Sequence, residues 1–138
     1  MSIIQTQTTS FKKELYQAVH NLSTDTLKIA LYTGNANLNE DTTGYSATNE
    51  VVATGYTAGG NTLTGVAISS SGSTAYVNWA NTSWTAALTA RGALIYNVTQ
   101  GNKSIAVIDF GADKTSTTTF TITMPANTST TALIRSSN

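Results

Sequence analysis

The chain has 138 residues, seven basic and seven acidic residues, and a charged fraction of only 10%. This length is enough for one domain with its own hydrophobic core, and the lack of cysteine excludes a disulfide framework or a zinc–cysteine site. The few Lys and Arg residues are scattered, so the basic footprint of a nucleic-acid-binding protein is missing.

The N-terminal part divides into an arm and a helix. Residues 1–10 are polar and show no periodicity, which predicts an extended arm before a single β-rich domain over residues 11–138. Ser10 is a suitable helix cap, and apolar residues follow it at helical spacing, so we predict one helix over about residues 10–22. Because one face of this helix is apolar, it must lie on the sheet or on a neighbouring subunit.

The next segment contains a predicted strand and a short string that occurs twice. In residues 27–32, the apolar Leu27, Ile29 and Leu31 alternate with Lys28, Ala30 and Tyr32, which predicts a half-buried strand. The string TGYSA at residues 43–47 returns as TGYTA at residues 54–58. Two copies are too few for a repeat architecture, and we interpret them as matching corners on either side of a strand over residues 50–54.

A hairpin in the second half of the chain is the strongest predicted element. Residues 88–97 and 104–110 are apolar on both faces, which is typical of strands in the middle of a sheet, and we expect Ile95, Val107 and Phe110 in the core. Shorter strands are predicted over residues 63–68, 75–79, 119–124 and 132–135, with a turn at 69–73 and a loop at 111–118. The pattern predicts a mainly β fold, an antiparallel β-sandwich or barrel-like domain with one N-terminal α-helix.

Candidate catalytic residues are few. His20 is the only histidine, and neither a Gly-x-Ser-x-Gly elbow nor a phosphate-binding loop occurs, so we predict that the chain is not an enzyme and has no catalytic residue. Asp109 and Asp113 could form an acid pair, but a turn at a strand end is the simpler interpretation.

Two other patterns suggest ligands. Residues 35–41 place oxygen-bearing side chains at alternate positions, but a calcium loop needs Gly at its sixth position and Glu at its twelfth, where this chain has Glu40 and Ser46. We therefore predict no metal and no cofactor. Trp79, Trp84 and Tyr96 could stack on a sugar, although aromatic residues among Ala and Leu more often belong to a core or a subunit interface.

Several strings resemble small structural proteins of tailed-phage virions, over nearly the whole chain. The strings are FKKEL at 11–15, KIALYT at 28–33, TNEV at 48–51, GYTAGG at 55–60, ARGALIYN at 90–97, DFG at 109–111 and ALIR at 132–135. Some members of that group resemble head decoration (cement) proteins. The resemblance implies a β-rich structural protein that binds the outside of the capsid as an oligomer, commonly a trimer.

From this resemblance we expect a decoration protein that stabilises contacts between major capsid subunits. Its partners would be the major capsid protein and other copies of itself, with no nucleic acid and no membrane. It would lie on the virion surface after assembly in the host cytoplasm, since the start of the chain has no apolar stretch of signal-peptide length. The alternatives are a fibre or tail-adaptor component and a carbohydrate-binding module for host attachment. The predicted interface residues are Ile3, Ile4, Phe11, Leu15, Tyr45 and Tyr56.

Overall fold

A computed structural model describes residues 2–137 and has a mainly β fold. Its elements are β1 (Thr6–Gln7), α1 (Thr9–Tyr16), β2 (Leu27–Tyr32), β3 (Asn61–Thr62), β4 (Ala67–Ser71), β5 (Thr74–Asn78), β6 (Thr82–Trp84), β7 (Thr89–Asn97), β8 (Lys103–Thr115), β9 (Phe120–Ile122) and β10 (Ile134–Ser136). All pairings between these strands are antiparallel. The predicted fold class, antiparallel and sandwich-like with one N-terminal helix, is confirmed.

A five-stranded sheet with the order β1-β8-β7-β2-β3 organises the molecule. The predicted hairpin, β7 and β8, lies at its middle, and apolar side chains cover both of its faces. Ile95 and Val107 are buried as predicted, while Phe110 is half-buried and packs against Phe120 with ring centroids 6.0 Å apart. Two smaller sheets, β10-β5-β4 and β6-β9, complete the fold.

Strand β2 is buried on both faces, so the prediction of a half-buried strand was wrong. Ile29 and Leu31 face the larger apolar cluster, and Ala30 and Tyr32 face the smaller one on the opposite side of the sheet. Tyr32 is only 1% exposed, and its hydroxyl donates to the carbonyl of Ser46 at 2.7 Å. A polar tip with its own partner lets an aromatic ring occupy a buried position.

The N-terminal residues form part of the domain and not a free arm. Strand β1 pairs with β8, with Thr6 opposite Val107, and Ile3 is buried against the smaller apolar cluster. Thr8 is fully buried and caps α1 by accepting a hydrogen bond from the backbone N–H of Phe11 at 3.3 Å. The prediction of an extended arm over residues 1–10 is therefore wrong for residues 2–10. Met1 lies outside the residues that the structure describes.

Helix α1 is shorter than the predicted helix over residues 10–22. It begins after Thr8 instead of Ser10 and ends at Tyr16. Ala18 has a φ of 57°, a left-handed conformation that turns the chain away from the helix axis. The buried His20 side chain then reaches back to Glu14 at 2.9 Å, which fixes this reversal. Apolar spacing alone could not show where the chain reverses.

Three further predictions, of two strands and one loop, are wrong. Residues 50–54 do not form a strand, and the predicted strand over 63–68 is interrupted by Gly65, whose φ is 66°. Strand β8 continues through most of the predicted loop at 111–118, because its polar end pairs with the start of β7, Thr89 opposite Thr115. Long-range pairing decides these segments, and local composition does not.

Candidate functional site

The six residues predicted to contact neighbours have very different environments. Ile4 and Leu15 keep exposed side chains, at 46% and 40% of their maximum. Tyr45 is half-buried and packs against the smaller apolar cluster. The remaining three are buried within their own domain: Ile3, Phe11 and Tyr56. These three therefore contribute to the internal packing of the chain, and only Ile4 and Leu15 offer substantial surface to a partner.

The tyrosines of the two repeated strings, at residues 43–47 and 54–58, both bind one buried carboxylate, that of Glu50. Tyr45 donates its hydroxyl hydrogen to Oε1 at 2.6 Å, and Tyr56 donates to Oε2 at 2.5 Å. The backbone N–H of Gly59 also donates to Oε2, at 2.8 Å. Tyr45 stacks on Tyr96 with ring centroids 4.7 Å apart. The repeated Gly-Tyr strings thus flank a carboxylate that both tyrosines bind, where sequence analysis predicted a strand between them.

Burial and the charge of Glu50 both raise the pKa values of the surrounding tyrosines. Desolvation, followed by the hydrogen bond to Glu50, raises the pKa of Tyr45 and of Tyr56 well above the ordinary value. Desolvation and the Glu50 charge raise the pKa of Tyr96 to about 12. The phenols stay protonated at neutral pH; Tyr45 and Tyr56 donate to the carboxylate, and Tyr96 donates to the carbonyl of Gly59 at 2.7 Å. This arrangement fits a structural anchor for the loops that carry it.

The single histidine belongs to a second internal network. His20 Nδ1 lies 2.9 Å from Nδ2 of Asn97, which also donates to Asp25 at 2.8 Å. Oδ1 of Asn97 accepts from the N–H of Gln100, so the orientation of its amide is fixed. His20 Nδ1 must then accept, which leaves Nε2–H to donate to Glu14. The network joins helix α1 to strand β7.

The other sequence-derived ligand candidates are Asp109, Asp113 and the loop over residues 35–41. Asp109 contacts Arg91 at 3.4 Å, and Asp113 follows four residues later, where the register of β8 against β7 shifts between Ala90 and Gly92. Residues 35–39 and Asp41 line part of an open polar cleft of about 670 Å³. Across residues 2–137, no three His, Asp or Glu side chains gather in a way that could hold a metal ion.

The tryptophans belong to the core. Trp79 and Trp84 are 5% and 4% exposed. Trp84 packs against Tyr56 and Phe120, with ring centroids 5.8 and 6.3 Å away. The hypothesis of a sugar-stacking platform at these residues is wrong, because their faces are covered by other side chains of the same chain.

An open apolar groove runs between helix α1 and the three-stranded sheet. We call it the α1–β5 groove; its volume is about 430 Å³, and its apolar walls include Phe11, Leu15, Leu22, Ile68, Val77 and Ile134. Leu15 and Ile68 are 40% and 55% exposed at its margins. The predicted contact residue Leu15 thus belongs to a larger apolar surface, most of which sequence analysis missed.

Strand β4 forms one side of this surface and is the outermost strand of its sheet. All five of its residues are exposed, and the sequence contains no charged residue between Glu50 and Arg91. The prediction of a turn over Ser69–Ser73 is wrong, because only Gly72 and Ser73 form the turn between β4 and β5. The long uncharged stretch was the sequence signal that could have drawn attention to this edge.

Comparisons of the chain with protein-family models, with curated proteins and with solved structures found no match. Within the part of the chain that the structure describes, no helix has the length and apolar character needed to cross a membrane.

Proposed function

We propose that this chain is a structural protein of a tailed-phage particle, and specifically a decoration protein that binds the outside of the head. In this proposal it contacts the major capsid protein and other copies of itself. The phage assignment rests on the sequence strings described above. The observation that carries the structural role is the uncharged, partly apolar surface formed by the α1–β5 groove and strand β4.

This surface has the chemistry of a protein-docking site. Leu15 and Ile68 leave apolar area in water, and removing such area from water favours association by roughly 25 cal/mol per Å². The open edge of β4 adds unpaired backbone donors and acceptors that another strand satisfies well. Both features suit a broad contact with a protein surface.

The charge distribution supports attachment by shape and burial instead of long-range attraction. Seven cations and seven anions balance in the chain, and the β4–β5 side of the docking surface lies in the uncharged stretch between Glu50 and Arg91. Exposed charges are screened beyond about 8–10 Å at ordinary salt concentrations. We therefore expect attachment to the head to survive high salt.

The decisive experiment measures the amount and location of the chain in purified particles. We expect mass spectrometry to give a copy number comparable to that of the major capsid protein, and labelling to place the chain on the head. A copy number comparable to that of tail proteins would support the fibre or tail-adaptor alternative. Absence from purified particles would overturn the proposal.

A carbohydrate-binding role is the second candidate, and the polar cleft at residues 35–41 is the observation that favours it. The cleft is lined mainly by amide and hydroxyl side chains, including Asn35, Asn37 and Thr48, which hydrogen-bond well to neutral polyols. A glycan array on the isolated protein tests this role, with Asn37→Ala as the variant that should lose any signal from the cleft. Signal that Asn37→Ala retains would place glycan binding elsewhere.

A further inference from the structure

The outer edge of strand β4 presents unpaired backbone groups at defined positions. Gly72 and Ser73 form a two-residue turn, so Ser71 and Thr74 are the first hydrogen-bonded pair of the β4–β5 hairpin. Hydrogen-bonded and non-hydrogen-bonded pairs then alternate along an antiparallel ladder. The backbone N–H and C=O groups of Ile68 and Ser70 consequently point away from β5, towards the open side.

This edge lacks the usual protection against strand addition. Natural edge strands are commonly guarded by charged residues, by Pro or by a bulge. Residues 67–73 read AISSSGS and contain neither a charge nor a Pro, and the five-residue pairing of β4 with β5 is regular. The edge is therefore free to accept another strand, because no charged side chain on β4 can repel it.

An apolar row in the sheet ends abruptly at this edge. Ile134 lies opposite Val77, and Val77 lies opposite Ile68, so the three side chains lie side by side on one face. Ile134 and Val77 are 5% exposed, whereas Ile68 is 55% exposed. A further strand with an apolar residue opposite Ile68 would extend the row and cover this side chain.

We propose that β4 pairs antiparallel with β4 of a second copy of this chain, around a two-fold axis at Ile68. The two three-stranded sheets then form one six-stranded sheet, and Ile68 of each copy covers Ile68 of the other. A second copy fits because β4 is itself uncharged, extended and apolar at the required position, so the pairing brings no like charges together. The pairing continues one residue beyond β4, where the N–H of Ser70 donates to the C=O of Val66 of the second copy.

The contact is short, which limits its strength. Five residues of strand edge form a small interface beside the roughly 800 Å² per partner of a standard one, so we expect weak association in solution. The inference rests on the proposed function in one respect: attachment to a capsid raises the local concentration of copies and favours a weak contact between neighbours.

A matched pair of variants at Ser70 tests the contact. Ser70→Pro removes the outward N–H and adds a ring at the open edge, and it leaves the β4–β5 bonds in place because that N–H does not face β5. Ser70→Ala removes the hydroxyl and keeps the N–H. Sedimentation equilibrium of the full chain, from micromolar to millimolar concentration, should show a monomer–dimer equilibrium for the wild type and for Ser70→Ala. We expect dimerisation of Ser70→Pro to be at least about tenfold weaker.

A second variant keeps the test decisive if Ser70→Pro does not fold. Ile68→Lys opposes two like charges across the two-fold axis and should abolish the dimer, with folding checked by circular dichroism. Amide exchange gives an independent readout, since the N–H groups of Ile68 and Ser70 should become protected as the concentration rises. A wild type that stays monomeric throughout, or an oligomer that neither variant weakens, would overturn the inference.

The particle experiment separates the two proposals. If the chain is abundant on heads but the β4 variants associate like the wild type, the β4 contact is rejected and the decoration role stands. If the variants dissociate the dimer but the chain is absent from particles, the β4 contact stands and the decoration role is rejected.

Discussion

Tyr45 and Tyr56 donate hydrogen bonds to opposite oxygens of the same buried carboxylate, that of Glu50. They come from the two Gly-Tyr strings that echo each other in the sequence. The two hydroxyls differ in their other hydrogen bonds: the Tyr56 oxygen also accepts the backbone N–H of Leu31, at 2.9 Å. The loops of residues 44–60 are thereby bound both to each other and to strand β2.

This difference predicts unequal effects of removing the two hydroxyls. Tyr45→Phe leaves one oxygen of Glu50 without a donor and should lower the free energy of unfolding by about 1–2 kcal/mol. Tyr56→Phe removes one of the two donors to the other oxygen, which keeps the N–H of Gly59, and leaves the N–H of Leu31 unpaired, so we expect a loss of about 2–4 kcal/mol. Urea unfolding of both variants beside the wild type measures the two losses. Equal losses would contradict the second role assigned to the Tyr56 oxygen.

The raised tyrosine pKa values predict a loss of stability at alkaline pH. Unfolded tyrosine gives up its proton near pH 10, whereas burial and the Glu50 charge raise the pKa of Tyr96 to about 12. Between these values the unfolded state binds fewer protons than the native state, so the free energy of unfolding falls as the pH rises. The fall per tyrosine should reach about 1.4 kcal/mol per pH unit.

Urea unfolding at a series of pH values between about 8 and 11 measures this slope. Tyr96→Phe removes one of the titrating groups, so its slope should be shallower than that of the wild type. If the two slopes coincide, Tyr96 does not keep its proton in the folded state as described.

The helix cap at Thr8 predicts that the N-terminal segment contributes to folding stability. Thr8→Ala removes the acceptor for the N–H of Phe11 and a 3.0 Å bond from Ser104, and should lower the free energy of unfolding by about 1–2 kcal/mol. Thr9→Ala is the matched control, because Thr9 is exposed within α1 and should cost less than about 0.5 kcal/mol. Thermal unfolding of the two variants gives the comparison. Equal melting temperatures for both would restore the idea of a dispensable arm.

Two glycines with similar backbone conformations predict opposite tolerance of a side chain. Gly60 and Gly72 have φ values of 80° and 60°. A Cβ at Gly60 would overlap the carbonyl oxygen of Ile29, whereas one at Gly72 meets nothing within 4 Å. Gly72→Ala should therefore cost only the strain of about 1–2 kcal/mol for a left-handed residue, and Gly60→Ala should cost considerably more or prevent folding. The yield and melting temperature of soluble protein check this, and a Gly60→Ala variant as stable as Gly72→Ala would contradict the close approach.

The parts of the fold that local sequence predicts well are those in which both faces of a strand are apolar. Strands β7 and β8 belong to this class, because runs such as ALIY and IAVI are apolar on alternate and intervening positions alike. Strand β1 does not, since its two residues are polar and its partner lies far along the chain, with Thr6 opposite Val107. Pairing of that kind leaves no local pattern.

The candidate site was harder to predict than the fold. The sequence shows the echoed Gly-Tyr strings, but it does not show that two hydroxyls meet at Glu50, because that depends on how the loops close over β2. It also presents the serines of β4 as turn residues, since Ser is common in turns and the strand is exposed on both faces. Only the register with β5 reveals that Ile68 ends an apolar row.

The pairing of β1 with β8 also imposes a delay during synthesis. The residues of β1 are made about 100 residues before their partner strand, Lys103–Thr115. At about 5–20 residues per second, the N-terminal strand waits roughly 5–20 s before it has an edge to pair with. The smaller apolar cluster that includes Ile3 also contains Leu94, Tyr96 and Val107, so this cluster is complete only after β7 and β8 have been made.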